Sequence, residues 1–134
     1  MPVNGARISS GYGMRFHPIY QAERMHRGLD LAAVEGSPVL AAGDGEVIRM
    51  GPLGAYGNYV RIRHSEPYET AYGHLSGYAE GLRLQAWVKR GQVIGYVGST
   101  GGATGPHLHY EIIMEGKQIN PLELDTCLLS LQSR

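Results

Sequence analysis

The sequence predicts an all-β fold, in which a mostly antiparallel sheet core and a second small sheet carry long loops that form a narrow groove. Two features support this class. Short apolar segments alternate with glycine clusters along most of the chain. The chain has 20 glycines in 134 residues, about twice the average frequency of roughly 7%. No long amphipathic helical pattern stands out, so the many turn positions favour a compact β protein.

The clearest strand signal lies at residues 58–64, where apolar and basic residues alternate. Because neighbouring side chains on a strand point to opposite faces, Val60 and Ile62 should face the core while Arg61 and Arg63 face solvent. Further strands are expected at residues 46–50, 68–75, 92–97 and 107–114. The pattern leaves room only for short helical turns, at residues 82–88 and 125–131.

The composition indicates one globular domain. Apolar residues make up 43% of the chain and charged residues 18%, which is ordinary for a folded protein. A chain of 134 residues falls within the roughly 100–200 residues of a single domain. We therefore expect one monomeric domain over residues 1–134, with a core at about residues 5–124 and a C-terminal tail at 125–134.

Charge and cysteine content exclude several classes of function. The 12 basic residues balance the 12 acidic ones, which argues against a nucleic-acid-binding protein. The single cysteine, Cys127, permits neither an intrachain disulfide nor a zinc site built from several thiolates. No transmembrane segment is expected, because no apolar stretch approaches the roughly 20 residues that span a bilayer. The segment Met1 to Ser10 also lacks the apolar region of a signal peptide.

The histidines carry the main functional signal. Two of the six lie in the segment His107-Leu108-His109, inside a predicted strand. Residues two apart on a strand point to the same face. Both imidazoles can then approach one metal ion, or one can bind the ion while the other contacts the substrate. Taken alone, the pair does not exclude chance placement on a solvated strand.

A second motif, from His26 to Asp30, supplies an imidazole and a carboxylate, both normal zinc ligands. Gly28 disfavours a helix here, so we expect a tight loop that enters a strand. His74 lies near the end of another predicted strand, where a capping role is the alternative. Together the motifs offer two histidines and one carboxylate to a metal. Three protein ligands leave a fourth tetrahedral position open, as in catalytic zinc sites, and the HExxH helix of other metalloproteases is absent.

These motifs resemble the M23 peptidases, the LytM/lysostaphin-type group. The ordered combination of HxxxD, GHLS and GPHLH is highly specific, and the similarity extends over about residues 5–124. The matching segments are residues 8–30, 39–47, 72–76, 91–95, 98–101, 104–111 and 120–121.

The resemblance implies a role for each motif residue. His26, Asp30 and His109 match the zinc ligands of the family. His74 and His107 match its two catalytic histidines that do not bind zinc. None of these residues is missing, whereas some relatives have lost ligands and act only as activators of other wall enzymes. The implied fold is an all-β core with a narrow groove over the zinc site.

The implied chemistry is hydrolysis by an activated water. Zinc would lower the pKa of a bound water toward roughly 7. An imidazole with an ordinary pKa near roughly 6.5 can accept a proton from this water near neutral pH. A second, protonated imidazole can then stabilise the oxyanion. We assign His107 as the base and His74 as the oxyanion partner, although the two could exchange roles.

Four further residues are candidates for contact with substrate. His17 could line the groove, with a structural hydrogen bond as the alternative. Tyr72 could flank the zinc site, with core packing as the alternative. Ser99 and Thr100 lie in a glycine-rich loop that we interpret as a groove wall, and neither has the features of a nucleophile. His64 ends a predicted strand and is interpreted as exposed or structural.

The family cuts peptides with small side chains in bacterial peptidoglycan, either at glycine bridges or at D-alanyl cross-links. A groove with glycine walls suits small residues, and the sequence carries no wall-targeting module. We therefore predict a zinc metalloendopeptidase that prefers D-alanyl–diaminopimelate cross-links over glycyl-glycine bonds. Such an enzyme would act in the periplasm or cell wall, either as an excised catalytic domain or through another export route.

Two other functions fit parts of the sequence. A non-catalytic activator of cell-wall amidases would share the fold, but the intact ligand set argues against it. A carrier of the lipoyl type also uses glycine-rich β turns, but it needs a lysine at an exposed hairpin tip. Neither Lys89 nor Lys117 lies in such a motif.

Overall fold

The structure is a computed structural model that describes residues 2–3, 7–10, 13–17, 22–26, 28–65, 67–102 and 105–120. Ile8 apart, only the backbone is described between residues 7 and 26. The strands are β1 (Arg7–Ser10), β2 (Gly13–His17), β3 (Ala22–His26), β4 (Leu29–Ala32), β5 (Pro38–Leu40), β6 (Gly45–Pro52), β7 (Asn58–Arg63), β8 (Tyr68–Tyr78), β9 (Trp87–Val88), β10 (Val93–Val97), β11 (His107–Met114) and β12 (Lys117–Ile119), with one 3-10 turn at Gly54–Tyr56.

The described strands form one ten-stranded sheet and a two-stranded sheet of β2 and β3. The main path through the large sheet is β1-β4-β11-β8-β7-β6-β9. Strand β10 pairs with β5 and β8, while β12 pairs with β11. Every pairing is antiparallel. The predicted all-β fold, with its antiparallel core and second small sheet, is therefore confirmed.

The two predicted helical turns have different outcomes. Residues 82–86 form a loop with a turn at 84–85 and residues 87–88 form β9, so the helical prediction there is wrong. The main-chain N–H groups of Gln85 and Val47 bond the carbonyls of Val47 and Ala86, which ties this segment to the sheet. Residues 125–131 lie outside the described residues. Within the described part of the chain, no helix has the length and apolar character needed to cross a membrane.

The main core lies on one face of the large sheet. Val60 and Ile62 have no exposed surface, as the alternation of β7 predicts. A fully buried Val, Leu or Ile side chain contributes roughly 1.5–3 kcal/mol through removal from water. The other fully buried aliphatic side chains of this core include Leu31, Val39, Val47, Leu75, Val88, Ile94, Val97, Leu108 and Ile112.

The opposite face of β7 is only partly open to solvent. Tyr59 is buried there against Ala71 and Ile113, in a small second apolar cluster. Arg63 is exposed as predicted. The Arg61 side chain is only 31% exposed to solvent, since its guanidinium pairs with the Glu69 carboxylate on the neighbouring strand. The prediction of a solvent-facing Arg61 is therefore only half right.

Candidate active site

Strand pairing brings the predicted ligands Asp30 and His109 together. These residues are direct partners in the antiparallel register of β4 and β11. Directly opposed residues point to the same face of a sheet. His109 Nδ1 lies 3.0 Å from Asp30 Oδ1. Two residues 79 positions apart in the chain thus meet at one point, as the resemblance implies.

The two other predicted histidines lie beside this pair. His107 shares the face of His109, and its Nε2 lies 3.7 Å from Asp30 Oδ1. The ring centroids of His74 and His107 are 4.7 Å apart, and those of His74 and His109 are 6.1 Å apart. The structure therefore gathers four of the five predicted metal-binding and catalytic residues in one cluster.

A backbone irregularity in β8 aims His74 at this cluster. Between Asn58 and Val60 on β7, the register on β8 changes from Leu75 to Tyr72, so β8 contains one extra residue. His74 adopts a positive φ of 63° at this point. A bulge of this kind redirects a side chain, and a non-glycine residue in the left-handed region is strained and often functional.

Backbone carbonyls orient the rings of His74 and His107. His74 Nδ1–H donates to the carbonyl of Thr100 at 2.7 Å. His107 Nδ1–H donates to the carbonyl of Gly105 at 2.9 Å. Because a carbonyl oxygen can only accept, the proton of each neutral ring lies on Nδ1. Each ring then presents an unprotonated Nε2, which is the atom that can accept a proton.

Thr100 connects the glycine-rich loop to the strands of the site. Its hydroxyl donates to the carbonyl of Leu75 at 2.8 Å and accepts from the Asn58 main-chain N–H at 3.1 Å. Its carbonyl holds His74. Thr100 is half-buried, and Ser99 is exposed beside it. In the described geometry, Thr100 therefore orients a catalytic candidate, while Ser99 lies at the surface.

Glu111 is a residue of the site that sequence reasoning missed. It follows His109 by two positions on β11, so its side chain points to the same face. Its Oε2 accepts from His109 Nε2 at 2.8 Å and from the Tyr56 hydroxyl at 2.8 Å. The side chain is 1% exposed. The signal was present in the sequence, because a carboxylate at this spacing extends the face of His107 and His109.

Charge interactions shift the pKa values within the cluster. Burial alone would lower the pKa of His109, but hydrogen bonds to the Asp30 and Glu111 carboxylates raise this pKa to about 9. Burial alone would raise the pKa of Glu111, but hydrogen bonds from His109 and Tyr56 hold it below its ordinary value. Burial lowers the pKa of His74, and the neighbouring His107 and His109 lower it further. Neutral His74 is thus favoured.

The two predicted ligands with described side chains, Asp30 and His109, have a spacing and chemistry compatible with a zinc ion. In a tetrahedral site with bonds of roughly 2.0–2.1 Å, two ligand atoms lie roughly 3.3 Å apart, close to the 3.0 Å between His109 Nδ1 and Asp30 Oδ1. Imidazole nitrogen and carboxylate oxygen are also common zinc ligands in proteins. Among the side chains that the structure describes, no three His, Cys, Asp or Glu residues form a complete metal site. The third predicted ligand, His26, has its side chain outside the described residues.

The remaining candidates separate into two groups. The side chain of His17 lies outside the described residues. Tyr72 has no exposed surface, and its hydroxyl contacts Thr70 Oγ1 at 2.7 Å and the Ala42 main-chain N–H at 3.0 Å. Because the Tyr72 side chain has no exposed surface, its burial favours core packing, the alternative to a place flanking the zinc site. His64 is buried and hydrogen-bonded, which agrees with its structural alternative.

The chain is similar to known peptidases over most of its length. It is 48% identical over 123 residues to the DD-carboxypeptidase/endopeptidase Mpg of Neisseria meningitidis serogroup B, covering 92% of this chain and 28% of that protein. It is 44% identical over 121 residues to the peptidoglycan DD-endopeptidase ShyC of Vibrio cholerae serotype O1, covering 90% of this chain and 28% of that protein. The chain thus spans little more than a quarter of the length of these relatives.

The fold comparison agrees. A zinc-containing peptidase from Vibrio cholerae superposes with a TM-score of 0.86 at 37% identity, covering 92% of this chain and 39% of that chain. The sequence profile of Peptidase family M23 matches residues 24–121, which include the HxxxD, GHLS and GPHLH motifs. These findings confirm the resemblance that the motifs carry, and the chain belongs to Peptidase family M23.

Proposed function

We propose that this chain is the catalytic domain of a zinc-dependent endopeptidase that cleaves peptidoglycan. The observation that carries the proposal is the convergence of three imidazoles, from His74, His107 and His109, around the Asp30 carboxylate. Their side chains are only partly buried, with 17% exposure for Asp30 and 18% for His107, so substrate can reach them. Membership of a peptidase family supports peptide hydrolysis as the reaction.

His26, Asp30 and His109 would hold the zinc ion, which when bound supplies a Lewis acid and lowers the pKa of a coordinated water. Asp30 contributes an oxygen from β4, and His109 contributes Nδ1 from β11. Both belong to paired strands of the large sheet, and sites on such elements are held more precisely than sites on loops.

His107 is proposed as the general base. Its Nε2 is unprotonated in the neutral ring and lies 3.7 Å from a ligand oxygen, Asp30 Oδ1. This nitrogen could therefore accept a proton from a water beside Asp30. His74 is proposed to stand beside the oxyanion as a hydrogen-bond donor.

One observation favours the opposite assignment of the two histidines. The lowered pKa of His74 disfavours the protonated ring that an oxyanion donor requires. A neutral His74 with Nε2 unprotonated would instead serve as the base. Comparing the pH–rate profiles of His74→Ala and His107→Ala decides between the roles, because removal of the base abolishes the acidic limb of the profile.

The proposed substrate is the D-alanyl–diaminopimelate cross-link. One relative is named a DD-carboxypeptidase/endopeptidase and the other a peptidoglycan DD-endopeptidase. Ser99, Gly101 and Gly102 flank Thr100, whose carbonyl holds His74, and we propose that this loop forms a wall of small residues that suits small substrate side chains. Such a substrate places the enzyme outside the cytoplasm, where we propose that it acts as a monomer.

Digestion of purified peptidoglycan, with the fragments identified by mass spectrometry, tests the proposal. We expect D-alanyl–diaminopimelate cross-links to be cut, cleavage to stop with a chelator, and activity to return with zinc. His107→Ala should be nearly inactive yet still bind zinc, while Glu46→Gln, at an exposed ion pair, serves as the control. Zinc binding without any cleavage would favour an amidase activator, and cleavage of a pentaglycine peptide alone would favour a glycyl-glycine enzyme.

A further inference from the structure

We propose that Glu111 is a positioning residue of the metal site, which fixes the orientation and the tautomer of His109. This inference rests on the proposed zinc-dependent function. Glu111 does not face the substrate side of the cluster, because its carboxylate lies behind His109 and is 1% exposed. It can therefore act on the site only through the imidazole that it holds.

The two nitrogens of His109 face two different carboxylates. Nε2–H donates to Glu111 Oε2 at 2.8 Å, and Nδ1 lies 3.0 Å from Asp30 Oδ1. When a metal takes the Nδ1 position, the ring keeps one proton, and Glu111 keeps that proton on Nε2. A carboxylate that accepts the distal N–H of a ligand histidine fixes the ring and makes the ligand nitrogen more basic. Glu111 thus selects Nδ1 as the ligand atom.

The carboxylate of Glu111 is itself held in place. The Tyr56 hydroxyl donates to Oε2 at 2.8 Å, and the Gln118 amide donates to Oε1 at 3.4 Å. The Tyr56 ring also packs against His109, with centroids 5.6 Å apart. Neutral donors therefore satisfy both carboxylate oxygens, so Glu111 is available as a fixed acceptor for His109.

The chain before Asp30 is built around Glu111. A Cβ on Gly28 would lie 2.9 Å from Glu111 Cγ and 2.3 Å from the Tyr110 carbonyl oxygen. Only glycine permits this approach, and Gly28 stands between the predicted ligands His26 and Asp30. The loop that enters β4 therefore packs directly against the side chain that orients His109.

Zinc affinity measured by competition with a chelating indicator tests the inference. We compare the wild-type chain with Glu111→Ala, Glu111→Gln and Tyr56→Phe. Loss of such an outer partner lowers metal affinity by roughly 10–100-fold, so we expect a loss of this size for Glu111→Ala. Glu111→Gln should fall between, because an amide oxygen still accepts from Nε2–H. Tyr56→Phe should lose less, since the ring against His109 is retained. Glu69→Gln, which changes a carboxylate paired with Arg61, should match the wild type.

A spectroscopic measurement separates positioning from general stability. In the zinc-loaded wild type, ¹⁵N NMR should show His109 protonated at Nε2, with slow exchange of this proton. The exchange should become fast in Glu111→Ala. If Glu111→Ala does not fold, Glu111→Gln and Tyr56→Phe carry the test.

Wild-type zinc affinity together with an unchanged Nε2 proton in the folded variants would overturn the inference and leave the proposed function intact. Failure of the wild-type chain to bind zinc would overturn both.

Discussion

Replacing Gly57 by alanine should damage both the stability of the fold and the geometry of His74. Gly57 ends the 3-10 turn with φ 67° and ψ −142°, a combination that only glycine adopts readily. A Cβ there would lie 2.5 Å from both the carbonyl carbon and Oγ1 of Thr100, and 2.6 Å from its carbonyl oxygen. The added methyl group therefore meets the residue that holds the His74 ring.

Two terms contribute to the loss of stability. Backbone strain at such a position costs roughly 1–3 kcal/mol. Overpacking by one methyl group costs roughly 1–3 kcal/mol more, so the free energy of unfolding should fall by about 2–6 kcal/mol.

The same contact should disturb His74. Relief from 2.5 Å to an ordinary contact at 3.4 Å requires a shift of about 0.9 Å. A shift of this size is enough to lengthen the 2.7 Å bond between His74 and Thr100 beyond the roughly 3.2 Å limit of a good hydrogen bond. Misplacement of a catalytic group by about 1 Å can lower the rate by roughly 100-fold.

The stability loss is measured by urea unfolding of the metal-free protein. The effect on His74 is measured by peptidoglycan cleavage at a temperature where the variant is folded. Gly81→Ala is the matched control, because Gly81 has φ +82° but nothing within 4 Å of an added Cβ. The control should lose only the roughly 1–2 kcal/mol of a left-handed backbone and keep its activity. Equal stability losses in the two variants, together with full activity in Gly57→Ala, would refute this reasoning.

Substitutions at three further residues test the polar contacts of the site and core. Tyr72→Phe leaves the Ala42 N–H without its buried acceptor and should cost roughly 1–3 kcal/mol in urea unfolding. Cleavage per folded molecule should be unchanged, and a specific rise in KM would instead restore Tyr72 as a substrate residue. Thr100→Val removes the hydroxyl that bonds Leu75 and Asn58 and should lower both stability and activity, whereas Thr100→Ser should retain most of each. Burial lowers the pKa of His64 below its ordinary 6.5, so protonation favours the unfolded state. Its contribution is complete above about pH 6.5 and is lost as the pH falls through the folded pKa. His64→Gln should therefore flatten the unfolding free energy between pH 7 and 5, and parallel curves for the two proteins would contradict the assignment.

Strand positions and shared faces could be predicted because they follow from local alternation. The expected strand at 107–114 has the bounds of β11, and His107 and His109 share its face. The expected strand at 68–75 continues to Tyr78, because β10 pairs with the additional residues. Local pattern identifies a strand well, but its end depends on which partner strand is available.

Side-chain directions and contacts that depend on how strands pair could not be predicted from the sequence. The one-residue insertion in β8 that redirects His74 depends on its register with β7, and register is a property of two strands rather than one. Tyr72 lies two residues from His74 in the predicted motif of residues 72–76. Strand alternation would give these two side chains one face, but the bulge between them places Tyr72 in the core. The position of Glu111 on the face of His109 could be predicted, but its bond to Tyr56 could not, because Tyr56 comes from the separate 3-10 turn.

Tyr72 and His64 can both be buried because one chain of hydrogen bonds satisfies their polar groups. The Ala42 N–H donates to the Tyr72 hydroxyl, which donates to Thr70 Oγ1. The Thr70 hydroxyl donates to His64 Nε2, and His64 Nδ1–H donates to the Asp44 carbonyl.

Each link uses one donor and one acceptor, so the chain is satisfied only when His64 is neutral. A proton on Nε2 would make His64 the donor to Thr70 Oγ1 and leave one hydroxyl hydrogen of this chain without an acceptor in it, and a buried unsatisfied polar group costs roughly 1–3 kcal/mol. Burial lowers the pKa of His64 and outweighs the hydrogen bond to the Asp44 carbonyl, which raises it. His64 and Tyr72 thus stabilise the sheet that carries His74.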